Sequence, residues 1–125
     1  MTEWRQSFPK MSEHITVTDE KKLLSALGLC ARARKITVGV PMICEALKKG
    51  GKDMPRLVFE ASDTSENTHK RISDRCGYYK VRIVRLTADG ATLAAAVGKQ
   101  SAVGAVSVAD EELCRLTEKY IRIGQ

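Results

Sequence analysis

The segment Arg56-Leu57-Val58-Phe59-Glu60-Ala61 decides the fold class of this chain. Side chains along a strand point alternately to the two faces of a sheet. Leu57 and Phe59 share one face and Val58 lies on the other, so the centre of the segment is apolar on both sides. A strand of that kind belongs to a sheet covered on both faces.

Working outward, the flanks read as helices. Upstream, Leu23, Leu24, Leu27, Cys30 and Ala31 recur at three- and four-residue spacing, with Thr18 or Asp19 as the cap and an end near Ala33. Ile36-Thr37-Val38 is short and extended and suits an antiparallel edge. Gly39-Val40-Pro41 opens a second helix, because a proline in the first turn needs no N–H partner, and Gly50-Gly51 stops it. Downstream, Asp63 and Glu66 have the spacing of a capping pair for a third helix, with Ile72, Cys76 and Tyr79 inward and Gly77 as its breaker. Residues 81–86 form the next strand. Thr87 is expected to cap a short fourth helix closed by Gly98. Residues 102–108 read as a buried strand, and Asp110 caps a last helix through Leu113, Leu116, Tyr120 and Ile123.

Strands alternating with helices predict an α/β fold, a three-layer α/β/α sandwich around a small mixed four-stranded sheet. Repeated β-α-β steps favour parallel neighbours. Residues 1–17 show no lasting period and read as a flexible N-terminal arm, with 18–125 as one domain. A chain of 125 residues has the size of one domain and not two.

Composition narrows the functions. No stretch approaches 18 consecutive apolar residues, and the first residues lack the apolar core of a secretory signal. A cytoplasmic protein without membrane contact is expected. The cysteines at 30, 44, 76 and 114 form no C-x-x-C and sit among apolar neighbours, which favours buried thiols over disulfides. His14 and His69 have no second donor at metal-ligand spacing and read as lone surface histidines, so no metal or cofactor is expected. Neither a phosphate-binding loop nor a nucleophile elbow is present. Asp63, Glu66 and Asp74 are explained by capping and solvation. Nothing supports an enzyme.

Charge points to a polyanion instead. The net charge is +6, and residues 20–56 hold nine Lys/Arg against three Asp/Glu. Arg32, Arg34 and Lys35 cluster where helix one ends, just before Gly39 at the start of helix two. A helix N-terminus presents free N–H groups that suit phosphate, and a basic cluster beside it makes a backbone contact credible. No aromatic ladder of the kind that stacks single strands is present, so a folded RNA fits better than a bare one.

Four blocks carry a family resemblance. Leu27-Gly28-Leu29-Cys30-Ala31-Arg32-Ala33-Arg34-Lys35-Ile36-Thr37-Val38-Gly39 resembles the opening of bacterial, ribosome-associated members of the L7Ae/L30e ribosomal-protein superfamily, which usually read Leu-Gly-Leu-Ala-x-Arg-Ala-Gly-Lys-x-x-x-Gly. Leu57-Val58-Phe59-Glu60-Ala61-Ser62-Asp63-Thr64-Ser65-Glu66-Asn67-Thr68 resembles the next block. Asp74-Arg75-Cys76 and residues 93–99 are similar to two more. The likeness spans about residues 20–120. It implies the same sandwich fold and recognition of kink-turn or similar internal-loop RNA, with rRNA the foremost partner. The contacts it implies are Gly39, Val40, Pro41 and Met42; Ala61, Ser62 and Asp63; and the loop Lys99, Gln100, Ser101, Ala102 and Val103 continuing to Ala105. The family's base reader is usually Asn-Glu after the glycine, with a lysine further on. Pro41-Met42 and Glu45 stand there instead, which implies a divergent base-reading site. The competing expectation is a protein-interaction or self-associating domain that kept the fold and lost RNA, with a ribosomal or other protein partner and an apolar patch at Pro41, Met42 and Ile43.

Overall fold

The segment that decided the fold class forms β3 (Leu57–Glu60), buried along its whole length and lying inside a four-stranded sheet. The computed structural model describes residues 15–123. The elements are β1 (Ile15–Val17), α1 (Glu20–Arg32), β2 (Ile36–Val38), α2 (Val40–Lys49), β3, α3 (Glu66–Tyr78), β4 (Arg82–Arg85), α4 (Gly90–Ala96), β5 (Ala105–Val108), α5 (Glu111–Glu118) and β6 (Ile121–Ile123). The sheet order is β2-β5-β3-β4, and β1 and β6 form a separate two-stranded ladder.

The two faces follow the alternation in β3. Leu57 and Phe59 pack with Leu23 and Leu27 of α1, Leu93 of α4 and Cys114 of α5. Val58 packs on the other side with Ile43 and Leu47 of α2 and Ile72 and Cys76 of α3. Each such leucine or isoleucine contributes about 1.5–3 kcal/mol when fully buried. This is the expected α/β/α sandwich with a mixed sheet. All four cysteines are buried and free. Burial pushes the Cys76 thiol up to about 12 and the Cys114 thiol up to about 11.

Several details differ from expectation. β3 and β4 are parallel, but β5 runs antiparallel to both of its neighbours, β2 and β3. The chain after α4 turns back along that short helix, and the Val103 N–H donates to the Gly90 carbonyl at 3.1 Å. It therefore enters β5 from the end at which it left β4. α3 is capped by Ser65 and not by Asp63, and it runs through the buried Gly77 to Tyr78. Thr87 does not cap α4, because Asp89 does. The Thr87 N–H and hydroxyl donate instead to the Glu20 carboxylate at 3.1 and 3.0 Å. The last helix stops at Glu118, and Ile121–Ile123 pairs antiparallel with Ile15–Val17. The end of the expected arm is thus a strand, and residues 1–14, His14 among them, lie outside the described residues.

Three helices end in the same way. Past α1, Arg34 N–H bonds the Ala31 carbonyl and Lys35 N–H the Cys30 carbonyl; Lys80 and Val81 repeat the pattern past α3, and Gly98 and Lys99 past α4. This closing motif needs a left-handed residue, usually glycine. Gly98 meets the need freely at φ 77°, whereas Arg34 and Lys80 adopt φ 60° and 59° with a side chain. That conformation costs a non-glycine residue roughly 1–2 kcal/mol.

Candidate functional site

An open groove of about 680 Å³ lies where the N-terminus of α2, the turn 61–65, the start of α3 and the loop 99–104 converge. Gly39 begins it. Its φ of 99° suits glycine, its N–H donates to the Ala105 carbonyl at 2.8 Å, and it serves as N-cap of α2 without any side-chain cap. Pro41 follows in the first turn and has no N–H to offer, and the Val40 and Met42 N–H groups donate no hydrogen bond among the described residues. The positive end of an uncapped helix favours an anion, by about 0.3–1 kcal/mol when exposed.

The turn 61–65 is the second wall. Ala61 is fully buried, and its N–H donates to the Gly104 carbonyl at 2.8 Å. Ser62 N–H donates to the Ala88 carbonyl at 2.9 Å, and Arg85 Nη2 donates to the Ser62 carbonyl at 3.0 Å. Asp63 Oδ1 accepts the Gly90 N–H at 2.9 Å. The Thr64 hydroxyl donates to Glu60 Oε2 at 2.6 Å.

Glu60 anchors the Thr64 end of this turn. Its side chain is 1% exposed at the end of β3, on the α2 and α3 side of the sheet. A buried carboxylate must be matched by donors. Thr64 supplies one. His69 supplies the other, its Nδ1 standing 2.9 Å from both carboxylate oxygens. Arg85 Nη1 lies 3.3 Å from the same ring nitrogen, which cannot accept from arginine while its own N–H donates to Glu60. His69 is therefore not the lone histidine expected: its side chain stays 40% exposed, but the ring is paired with the buried Glu60 carboxylate at the end of β3.

Lys99 stands at the third wall. It follows Gly98, is exposed, lines the groove and makes no ion pair among the described residues. Gln100, Ser101 and Ala102 are also exposed, and Val103 closes the loop against Gly90.

Of the residues singled out in the sequence, Gly39, Val40, Pro41, Asp63, Lys99, Gln100, Ser101, Ala102 and Val103 line this one groove. Met42 sits beside it, 60% exposed. Ala61 is too buried to touch a ligand through its side chain, and Ser62 is exposed but outside the lining. Arg32, Arg34 and Lys35 are exposed at the end of α1 and do not line the groove either. Lys35 Nζ stands 3.4 Å from Asp110 Oδ1. Gly104, inside the expected loop, lines it as well, and Val38, Thr64, Ser65, Thr68 and Gly90 line it and were not anticipated. The hydroxyl-rich run after Asp63 was the signal for three of them.

The comparisons with known proteins agree with this architecture. The chain is 34% identical over 85 residues to the RNA-binding protein YlxQ of Bacillus subtilis (strain 168), covering 68% of this chain and 80% of that protein. It is 27% identical over 103 residues to the RNA-binding protein YlxQ of Enterococcus faecium, covering 82% of this chain and 94% of that one. A Bacillus halodurans protein of unknown function superposes with a TM-score of 0.70 at 31% identity, over 79% of this chain and 95% of its own. The Giardia lamblia 15.5kD RNA binding protein shares the fold at 16% identity, with a TM-score of 0.66 over 84% of this chain and 88% of its own. The model of the ribosomal protein L7Ae/L30e/S12e/Gadd45 family matches residues 21–117, and the chain belongs to that family.

Proposed function

We propose that this protein is a non-catalytic binding protein for structured RNA, of ribosomal or ribosome-associated type, acting on rRNA or a kink-turn-like internal loop. The observation that carries the reading is one groove lined by the N-terminus of α2, which has no side-chain cap, and by Lys99, which forms no ion pair among the described residues. Both features attract phosphate. Two relatives named as RNA-binding proteins support it.

Binding proceeds through backbone and shape. Pro41 has no N–H, and neither it nor Met42 carries a side-chain donor or acceptor fit to read a base edge. Glu45 is exposed one turn further on and repels phosphate. Reading of the tandem G·A pairs of a kink-turn is correspondingly altered. The polar groups that remain at the groove are Asp63, Ser65, Thr68 and the 100–101 side chains, which suit 2′-hydroxyls and exposed amino groups.

A titration of structured RNAs, including an rRNA internal loop and a kink-turn, tests the reading between low and physiological salt. Affinity is expected to fall steeply with salt, and Lys99→Ala to weaken every RNA by about tenfold and reduce the salt slope by about one. Absence of binding to any structured RNA, or salt-independent binding, overturns the reading. The exposure of Met42 beside Pro41 favours a protein contact as the second reading. Under it, a protein partner survives nuclease treatment and Met42→Ser releases it.

A further inference from the structure

We propose that the outer face of α3 is a second RNA contact, holding the unpaired strand that leaves the element bound in the groove. This rests on the RNA-binding reading above and extends it away from the groove.

Four residues carry the inference. Thr68, Arg71, Arg75 and Tyr78 follow one another at steps of three, four and three residues, which sets them along one side of a helix. Thr68 is itself part of the groove lining, so the stripe starts at the site and leads away from it. Ten residues of helix carry it about 15 Å.

The stripe has the chemistry of a strand binder. Arg71 and Arg75 are exposed and form no ion pair among the described residues. Asp74, which lies between them in sequence, is engaged by Lys70 Nζ at 3.3 Å. Tyr78 is 76% exposed, more than the exposed Met42 at 60% or Leu29 at 48%. Its ring is not loose. It meets the Tyr79 ring at right angles with centroids 4.8 Å apart, and Tyr79 packs on the core. Two arginines followed by a braced, solvent-facing aromatic ring combine backbone attraction with a stacking platform. A duplex would use the arginines and leave the ring idle. An unpaired strand uses both, and its backbone would run from the groove past Arg71 and Arg75 to place a base on Tyr78.

The test uses the full chain and a structured RNA that it binds, either blunt or carrying a single-stranded uridine extension of about six nucleotides at either end, a length within the usual range for such sites. The extension at one end is expected to strengthen binding about tenfold, which one stacked base can supply. The double variant Arg71→Gln/Arg75→Gln should abolish most of that gain, and Tyr78→Ala a large part of it. Tyr78→Phe should keep it. None of these variants should change affinity for the blunt RNA. If the blunt RNA binds and neither extension adds anything, the α3 contact is wrong while the groove reading stands. The contact is also wrong if the variants weaken blunt and extended RNA alike. If the wild-type chain binds no structured RNA at all, the groove reading fails and this inference goes with it.

Discussion

The turn 61–65 and the loop 99–103 both line the groove, and they are held in opposite ways. Ala61, Ser62, Asp63 and Thr64 are each tied by at least one hydrogen bond, to Gly104, Ala88, Gly90 and Glu60, and Arg85 reaches across from β4 to close on Ser62. The loop is tied at its ends, through Lys99 N–H to Ala94 and Val103 N–H to Gly90, while Gln100, Ser101 and Ala102 make no hydrogen bond among the described residues. A wall that is already fixed loses little conformational entropy when a ligand arrives, and a free loop must be ordered by it. The turn therefore sets the shape of the site. The loop supplies charge and donors that adapt to what enters. Substitutions in the two walls should separate accordingly, into losses of stability and losses of affinity.

The largest expected effect belongs to the open wall. Lys99→Glu replaces a groove-lining cation with an anion and should weaken RNA binding on the order of 100-fold, with unfolding free energy changed by no more than about 0.5 kcal/mol. Filter binding and urea melts of the same preparation check both halves. The pinned wall should respond the other way. Thr64→Val keeps the shape and deletes a donor to the buried Glu60, which should cost about 1–3 kcal/mol in a urea melt. Its RNA affinity should fall less than that of Lys99→Glu. Equal affinity losses from the two variants would mean that the walls do not divide their roles.

This division was only partly legible in the sequence. The strand at residues 57–60, the apolar stripes of the helices and the glycine at 39 declare themselves through local spacing. Lys99 was legible through its place after Gly98 in a block resembling a known family. The network around Glu60 was not. Alternation shows that Glu60 faces inward, but not that Thr64 and His69 wait there as donors, because that depends on how α3 lies on the sheet. Asp63 misled for a related reason. Its local role as a cap for α3 and its actual role at Gly90, 27 residues away, look alike until the chain is folded. Ile121-Arg122-Ile123 suits a strand by alternation and a helix by the spacing of Leu116, Tyr120 and Ile123, and only pairing with residues 15–17 resolves it.

The three helix ends of one design sharpen the comparison at smaller scale. Gly98 turns the chain from α4 into Lys99, so Gly98→Ala should cost roughly 1 kcal/mol and also weaken RNA binding by moving the base of the loop. Arg34→Gly relieves the corresponding strain past α1 and should stabilise by a similar amount, roughly 1 kcal/mol, offset in part by the greater freedom of glycine in the unfolded chain. Since Arg34 lies outside the groove, RNA affinity at physiological salt should barely change. A large affinity loss in Arg34→Gly would bring the end of α1 into the binding surface after all.

The smallest expected effect concerns acid. Asp89 caps α4, between the two walls, and Asp110 caps α5, away from the groove. The Thr92 N–H holds the Asp89 carboxyl below its ordinary value, and the Leu113 N–H does the same for Asp110, aided by Lys35. A carboxyl lowered in the folded state stabilises the fold above its unfolded value and loses that contribution as pH falls through the folded one. The contribution of these two caps should therefore be constant from neutrality down to the ordinary aspartate range near 3.8 and decline below it. Asparagine caps a helix without titrating, so Asp89→Asn and Asp110→Asn should each leave stability at neutral pH nearly intact and flatten the acid limb. If the two walls act separately, both variants should also keep wild-type RNA affinity at neutral pH. A loss confined to Asp89→Asn would show that the α4 cap holds the groove together, and that the pinned wall extends beyond residue 65 to the start of that helix.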